Sequence, residues 1–169
     1  SKNDDTIAWY ENDGASDPSW TAADIATSAN GAYSVFAADM DNDGDMDIVS
    51  ASYMDDTIAW YENDGASDPS WTAANIKTSC TPTCSCTQCV NGASSVFAAD
   101  MDNDGDMDIV SAAQMGSSIA WYENDGAANP SWTAARIDYA GPSGARSVFA
   151  ADMDNDGDMD IVSASEWDN

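Results

Sequence analysis

Residues 34–52 read SVFAADMDNDGDMDIVSAS, and the first eighteen of them recur unchanged at 95–112 and 147–164. At the centre of each copy lie nine residues with Asp at every odd position and Gly at the sixth position. Alternate carboxylates can converge on a hard cation such as Ca²⁺, and Gly permits the positive φ that so tight a loop requires. The pattern therefore predicts three calcium sites, each in a loop between two strands.

We number each loop from its first Asp. Positions 1, 3, 5 and 9 are the predicted side-chain ligands, and position 7 is predicted to offer its backbone carbonyl. For positions 1, 3, 5, 7 and 9, the predicted metal residues are Asp39, Asp41, Asp43, Asp45 and Asp47 in loop 1; Asp100, Asp102, Asp104, Asp106 and Asp108 in loop 2; and Asp152, Asp154, Asp156, Asp158 and Asp160 in loop 3.

Two other interpretations of the loops fit the sequence less well. An EF-hand requires a bidentate Glu at position 12 and flanking helices. Position 12 here is Ser50, Ser111 or Ser163, and the flanks are short β-branched and aromatic runs that favour strands. A simple acidic hairpin turn needs only one or two such residues, so five alternating Asp in three identical copies favour the metal site.

The composition narrows the classes of function. The 169 residues include 31 acidic and four basic residues, for a formal net charge of −27, and there is no His. Such a charge repels nucleic acid, so no nucleic-acid partner is expected. The absence of His removes the commonest general base and a common transition-metal ligand. No apolar run reaches membrane-spanning length, so no membrane insertion is expected.

Internal repetition organises the whole chain. The segment IAWYENDG begins at Ile7, Ile58 and Ile119, and its spacings of 51 and 61 residues differ by ten because of an insertion around the cysteines. The predicted units are 1–51, 52–112 and 113–164, with 165–169 starting the next repeat. One period contains four predicted strands, at 34–38, 47–52, 57–62 and 72–77, and four antiparallel strands in about fifty residues are typical of a propeller blade.

The metal loop followed by Ile-Val, with Phe-Ala-Ala before it, resembles the FG-GAP/VCBS repeat family. Members occur in integrin α-subunit propellers, certain fungal lectins and many secreted microbial and algal proteins. The resemblance implies an all-β fold of β-propeller-type blades, with the metal loop joining two neighbouring strands, and an extracellular or cell-surface location. Phe36, Phe97 and Phe149 are followed by Ala instead of the family's Gly, so the VCBS-like subgroup is the better match.

Three units are few for a closed ring, since propellers usually contain four to eight blades. Two explanations were left open: the first strand completes the final blade, or the chain is one period of a longer repetitive assembly. The eighteen identical residues make the two end faces complementary, which predicts other copies or further repeats, joined head to tail, as partners. Glycans and cell-surface proteins are further candidate partners.

The inserted segment contains Cys80, Cys84, Cys86 and Cys89. An even number of cysteines in an expected extracellular chain predicts two disulfides of undetermined pairing. A four-cysteine zinc site is the alternative, but it would be crowded because a single residue separates Cys84 from Cys86.

Repeated aromatic pairs support two functions. The pairs are Trp9-Tyr10, Trp60-Tyr61 and Trp121-Tyr122. Either they fill the space between sheets, or they form sugar-stacking platforms of a lectin-type propeller. No nucleophile, base and oxyanion set is present among the unrepeated residues, so no enzyme is expected. The favoured function is an extracellular, calcium-stabilised structural or adhesion module that builds a larger cell-surface or filamentous assembly.

Overall fold

The computed structural model describes residues 5–78, 90–138 and 144–166. These residues form twelve β-strands, and no helix occurs among them. The strands are β1 (Ile7–Asn12), β2 (Trp20–Ala26), β3 (Ala32–Ala38), β4 (Asp47–Ser52), β5 (Thr57–Asn63), β6 (Trp71–Lys77), β7 (Ala93–Ala99), β8 (Asp108–Ala113), β9 (Ser118–Asn124), β10 (Trp132–Arg136), β11 (Ala145–Ala151) and β12 (Asp160–Ser165). The predicted all-β class is confirmed. A helix with the length and apolarity of a membrane span is likewise missing from these ranges.

The strands form four antiparallel sheets. Two sheets are complete, with the orders β3-β4-β5-β6 and β7-β8-β9-β10, and two contain only a pair of strands, β1-β2 and β11-β12. In each complete sheet a strand pairs with the next strand of the chain, as predicted for a blade. The four predicted strands agree with β3 to β6 within two residues at either end.

Aromatic and β-branched residues face one another across the strands. Phe36 of β3 lies opposite Val49 of β4, which lies opposite Trp60 of β5. Such cross-strand pairs each stabilise a sheet by about 0.2–1 kcal/mol. The second complete sheet has the same register, and Phe149 of β11 again lies opposite Val162 of β12. Identical sequence therefore gives identical pairing in every sheet.

Successive sheets meet along their first strands, β3, β7 and β11. The ring of Phe97 packs between those of Phe36 and Phe149, with centroid distances of 4.6 and 4.5 Å. The backbone N–H of Val96 donates to Ser34 Oγ of the preceding sheet at 3.3 Å. The same bond recurs one sheet further along the chain, from Val148 to Ser95 Oγ at 3.3 Å. Each sheet is therefore packed against the next in the same way.

The core lies between the sheets as a series of layers. Between the two complete sheets, Val49 and Trp60 pack with Val96, Ile109 and their neighbours. Further layers join the second complete sheet to β11-β12, and β1-β2 to the first complete sheet. Fully burying one such side chain stabilises the fold by about 1.5–3 kcal/mol. Stability in this arrangement comes from contacts between neighbouring sheets, as in other repeat proteins.

One of the two explanations given for the three-unit repeat can be compared with the described residues. In the sheet order β12 pairs with β11 alone, and β1 pairs with β2 alone. Completion of the final blade by the first strand of the same chain is therefore not what the described residues show. Cys80, Cys84, Cys86 and Cys89 lie outside the described residues, so their disulfides stay a prediction.

Candidate metal centres

Each metal loop connects the first two strands of its sheet. Loop 1 joins β3 to β4, loop 2 joins β7 to β8, and loop 3 joins β11 to β12. This is the placement that the family resemblance implied. A hairpin connection of this kind brings the ends of two adjacent strands together, so an ion bound in the loop would tie both strands to one point.

The carboxylates at positions 1, 3 and 5 converge in all three loops. Within each set, one oxygen of every carboxylate lies within 4.8 Å of the others. The sets are Asp39, Asp41 and Asp43; Asp100, Asp102 and Asp104; and Asp152, Asp154 and Asp156. The structure thus brings together three of the four predicted side-chain ligands of each loop.

Hydrogen bonds from the loop's own backbone hold the cluster in place. Both oxygens of Asp39 accept bonds, from the N–H of Asp43 at 3.1 Å and of Gly44 at 3.0 Å. Asp43 Oδ1 accepts from the N–H of Asp45 at 2.9 Å. The same bonds occur in loops 2 and 3. The carboxylates are therefore positioned before any ion binds.

The turn within the loop depends on two residues with left-handed backbone conformations. Gly44 has φ 97°, as predicted for position 6, and Asn42 at position 4 has φ 60°. Both other loops repeat these values closely. Asn tolerates this conformation better than most residues because its short polar side chain can bond locally. The requirement at position 4 was not predicted from the sequence.

Position 9 has buried hydrogen-bond partners that the sequence did not reveal, while its predicted metal contact stays a prediction. Asp47 is fully buried, and its Oδ1 and Oδ2 accept the N–H groups of Asn63 and Met40 at 2.8 and 3.2 Å. Asp108 does the same in loop 2. Burial raises the pKa of both carboxyls. These residues lie outside the three-carboxylate clusters and connect each loop to the third strand of its sheet.

Position 7 also has a side-chain role that the sequence did not reveal. Asp106 Oδ1 accepts a bond from Asn42 Nδ2 of the preceding loop, and Asp158 accepts one from Asn103 at 3.1 Å. A row of such bonds therefore joins loop 1 to loop 2 and loop 2 to loop 3. The predicted metal contact of position 7, through its backbone carbonyl, stays a prediction.

Asp41 carries the clearest electrostatic sign of an ion site. Its Oδ1 is buried and accepts no hydrogen bond from the described residues. Burial, together with the negative charges of Asp47 and Asp43, raises the pKa of Asp41 to about 6. A buried carboxylate oxygen without a donor is costly, and a bound cation would satisfy it while offsetting the repulsion. The residues present therefore fit a hard cation with oxygen ligands.

Three of the six paired aromatics are buried, and Tyr10 is exposed. Trp60 is 3% exposed, and Tyr61 and Tyr122 are buried as well. Trp60 forms part of the core between the two complete sheets. The packing interpretation therefore holds for this pair, and Trp60 offers no exposed platform to a sugar.

Unrepeated polar residues make contacts between sheets. Arg146 of β11 donates to the carboxylate of Glu166 and, at 3.2 Å, to the hydroxyl of Tyr33 in the first complete sheet. Gln114 Nε2 donates to the same Glu166 at 3.0 Å. These side chains are engaged in bonds within and between the sheets.

Comparison with known proteins places these features in a family. Curated proteins give no match to the chain. A family model described as an FG-GAP-like repeat matches residues 1–50, 39–111 and 100–163, segments that together contain all three metal loops. Repeats of this family form β-propeller-like modules built from antiparallel sheets such as those described above. The chain belongs to the FG-GAP-like repeat family.

Proposed function

We propose that this protein is an extracellular, non-enzymatic structural module that binds one Ca²⁺ in each of its three loops and serves as a building block of a larger assembly. The buried, unpartnered Oδ1 of Asp41 within a cluster of three carboxylates is the observation that supports calcium most directly. In this proposal calcium stabilises the fold, and the surfaces of the sheets make the contacts within the larger assembly.

The donor set favours calcium over other cations. All side-chain donors in the three clusters are carboxylate oxygens, which select hard cations over transition metals. Mg²⁺ demands near-octahedral geometry and gives up its water reluctantly, whereas Ca²⁺ accepts irregular sites with six to eight oxygen ligands. Positions 1, 3, 5 and 9 would hold the ion with their side chains, and the carbonyl of position 7 would complete the protein's contribution.

Calorimetric titration of chelator-treated protein tests the calcium proposal. We expect a stoichiometry of three Ca²⁺ per chain and much weaker heats with Mg²⁺ at the same concentration. Asp102→Asn, which removes one charge from loop 2, should reduce the tight sites from three to two. A stoichiometry unaffected by this substitution, or binding of Mg²⁺ as tight as that of Ca²⁺, would contradict the proposal.

Membership of the FG-GAP-like repeat family, whose members are typically extracellular, and the proposed calcium sites favour a location outside the cell. Calcium modules of the extracellular space commonly have Kd values of about 10⁻⁴–10⁻³ M, which the calcium of that compartment saturates. A net charge of −27 keeps such a surface soluble and repels anionic membranes. Antibody labelling of intact, unpermeabilised cells should detect the protein, and labelling only after permeabilisation would argue against this location.

The building-block role is supported by the contact that recurs between successive sheets. The same stack of Phe rings and the same backbone bond to a Ser Oγ join each sheet to the next, so that further repeats or copies can be added through the same contact. Electron microscopy of the protein in calcium should therefore show particles larger than one chain, whereas monomers at every protein concentration would contradict a building-block role.

A further inference from the structure

We propose that Asn42 and Asn103, at position 4 of loops 1 and 2, are positioning residues for the calcium site of the following loop, so that the three sites bind Ca²⁺ with positive cooperativity. The inference rests on the proposed calcium function and specifies how that function is regulated. Its grounds are the hydrogen bonds between neighbouring loops, the places of their donors and acceptors within each site, and the contacts that hold the loops at a fixed spacing.

The side chains at position 4 cross from their own loop to the next one. Asn42 Nδ2 donates to Asp106 Oδ1 of loop 2. One sheet further along the chain, Asn103 Nδ2 donates to Asp158 Oδ1 of loop 3 at 3.1 Å and to the carbonyl of Gly157 at 3.4 Å. At both junctions position 4 donates to position 7, so one arrangement links all three loops.

The donor of each bond lies inside the cluster that would hold the ion. Asn42 stands between Asp41 and Asp43, two of the three converging carboxylates of loop 1. Its backbone, with a φ of 60°, is part of the turn that brings those carboxylates together. The carboxylates of an empty loop repel one another, and a bound ion would remove that repulsion and narrow the range of loop conformations. Asn42 is therefore held most firmly when loop 1 contains an ion.

The acceptor of each bond belongs to the ion site of the other loop. Asp106, at position 7, is predicted to offer its carbonyl to the ion, and its N–H donates to Asp104 Oδ1 at 2.9 Å. Gly126 leaves room for the Asp106 carboxylate, since a Cβ on Gly126 would lie 2.1 Å from Oδ2. Asp106 is thus fixed by Gly126 and by Asn42, and the bond from loop 1 acts on a predicted ligand of loop 2.

Asn124 keeps loops 1 and 2 at a fixed spacing. Its buried Nδ2 donates to the carbonyls of Met40 in loop 1 and Met107 in loop 2, at 2.8 and 3.1 Å. Neither carbonyl is a predicted metal ligand, so these bonds can persist in the empty and the filled loops. They keep Asn42 within reach of Asp106 in both states.

Two effects of opposite sign act between neighbouring sites. Repulsion between two bound cations lowers the affinity of the second site, but salt at 1 M screens such charges over about 3 Å. The hydrogen bonds act in the opposite direction, because a filled loop has already restricted the bonding partner of its neighbour, and the second ion then has less to order. Such coupling is reciprocal, so each loop raises the affinity of its neighbour by the same factor. Positive cooperativity is therefore expected to be clearest at high salt.

Calcium titration of the whole chain in 1 M KCl tests the proposal, with calorimetry and a calcium-selective electrode as readouts. The three loops have identical sequences, so independent sites would give a Hill coefficient of about 1. A fivefold coupling at each junction, at the lower end of the usual range, raises it to about 1.5. We expect at least this value for the wild type, and the same value at two protein concentrations that differ tenfold.

Substitution by Gly removes the bonding amide while keeping the left-handed backbone, which Gly adopts readily. Asn42→Gly and Asn103→Gly should each lower the Hill coefficient, and the double variant should bring it close to 1. Asn155→Gly is the matched control. Asn155 has the same position in loop 3 and a φ of 62°, and within the described residues its side chain makes no bond to another loop. This variant should keep the wild-type coefficient, and circular dichroism and melting curves verify the fold of each variant.

A wild-type Hill coefficient of 1 or below would overturn the proposal, as would a higher value that the double variant leaves unchanged. A coefficient that rises with protein concentration would place the coupling between chains, and an equal loss in Asn155→Gly would show an effect confined to each loop, so either result overturns it as well. A chain that binds no Ca²⁺ would contradict the calcium function itself, whereas three independent sites contradict only the coupling.

Discussion

At the scale of single residues, the metal loop is a set of like charges that the fold holds together. The backbone N–H groups of Asp43 and Gly44 fix Asp39, and Asp41 lies beside it with a buried oxygen that accepts no bond from the described residues. In the absence of an ion, the carboxylates repel one another. Calcium is therefore expected to change the sign of the cluster's contribution to stability.

The substitution Asp41→Asn tests that change of sign. Without calcium, the loss of one negative charge from the cluster should leave the melting temperature unchanged or raise it. In saturating calcium the same variant should melt below the wild type, because the ion loses a charged ligand. Thermal melts in calcium and in EGTA measure both effects.

Asp17→Asn is the control for Asp41→Asn, since Asp17 lies on an exposed turn away from the loops. It removes the same charge and should show little difference between the two conditions. If Asp41→Asn lowered the melting temperature equally in calcium and in EGTA, the residue would have a purely structural role.

Two glycines of the repeated Asn-Asp-Gly turn provide a second residue-scale test. Gly14 and Gly126 have φ of 72° and 66°, but a Cβ on Gly126 would lie 2.1 Å from Asp106 Oδ2, whereas a Cβ on Gly14 would meet nothing within 4 Å. Gly14→Ala should cost about 1–2 kcal/mol from backbone strain alone.

Gly126→Ala should cost clearly more than Gly14→Ala, because it displaces Asp106 and with it the bond from Asn42 that joins two loops. Chemical denaturation of the two variants gives the difference directly. Equal losses of unfolding free energy would show that the contact between Gly126 and Asp106 contributes nothing.

The residue-scale features show what local sequence can and cannot predict. Alternating Asp predicted the convergence of positions 1, 3 and 5, because that geometry arises within one loop. The role of Asn42 was missed because its partner Asp106 is 64 residues away. The buried bonds of Asp47 were missed for a similar reason, since the N–H of Asn63 comes from another strand.

At the scale of elements, Asn124 at the end of β9 links strand, loop and neighbouring sheet. Asn124 Nδ2 donates to the carbonyls of Met40 and Met107 at 2.8 and 3.1 Å, and its Oδ1 accepts from Gly126 at 3.0 Å. Met40 belongs to loop 1 of the preceding sheet. This single side chain therefore holds two sheets in their relative positions.

The equivalent residues Asn63 and Asn12 make successively fewer side-chain hydrogen bonds than Asn124. Asn63 bonds to Met46 of its own sheet and to the turn, and Asn12 accepts a bond from the turn at Gly14. Asn124→Ala should cost about 1–3 kcal/mol because it leaves buried carbonyls without a donor. Asn63→Ala should cost less and Asn12→Ala least, as measured by urea denaturation. An Asn12→Ala variant as unstable as Asn124→Ala would contradict the series.

The elements themselves were largely predictable. Period-two alternation and β-branched residues located β3 to β6 within two residues, because strands of this kind are specified locally. The division of the strands into sheets was harder to predict from the sequence. The predicted repeat boundaries at 51 and 112 fall inside the second strands of the two complete sheets, β4 and β8. A sequence repeat can be divided at any point of its period, whereas each complete sheet begins with the strand before a metal loop.

At the scale of the whole molecule, two complete sheets lie between two half-sheets. In the proposed assembly, further repeats or other copies would supply the missing strands of the half-sheets. A head-to-tail contact either closes into a ring or continues as a filament.

Sedimentation velocity distinguishes these assemblies. A closed pair gives a single dimer species that persists as the protein concentration rises, whereas an open chain gives species that grow with concentration. Either outcome agrees with the proposed building-block function. Addition of EGTA should shift both toward monomers, since the loops would then carry negative charges that no cation offsets.

The central claim is that calcium is part of the architecture of this protein, and reversible melting in calcium and in EGTA tests it most directly. Binding to the folded state alone, at a hundredfold excess over Kd, adds about 2.7 kcal/mol per site. We predict a large fall in melting temperature on chelation that is fully restored when calcium is returned. Melting curves that coincide in calcium and in EGTA would contradict the account.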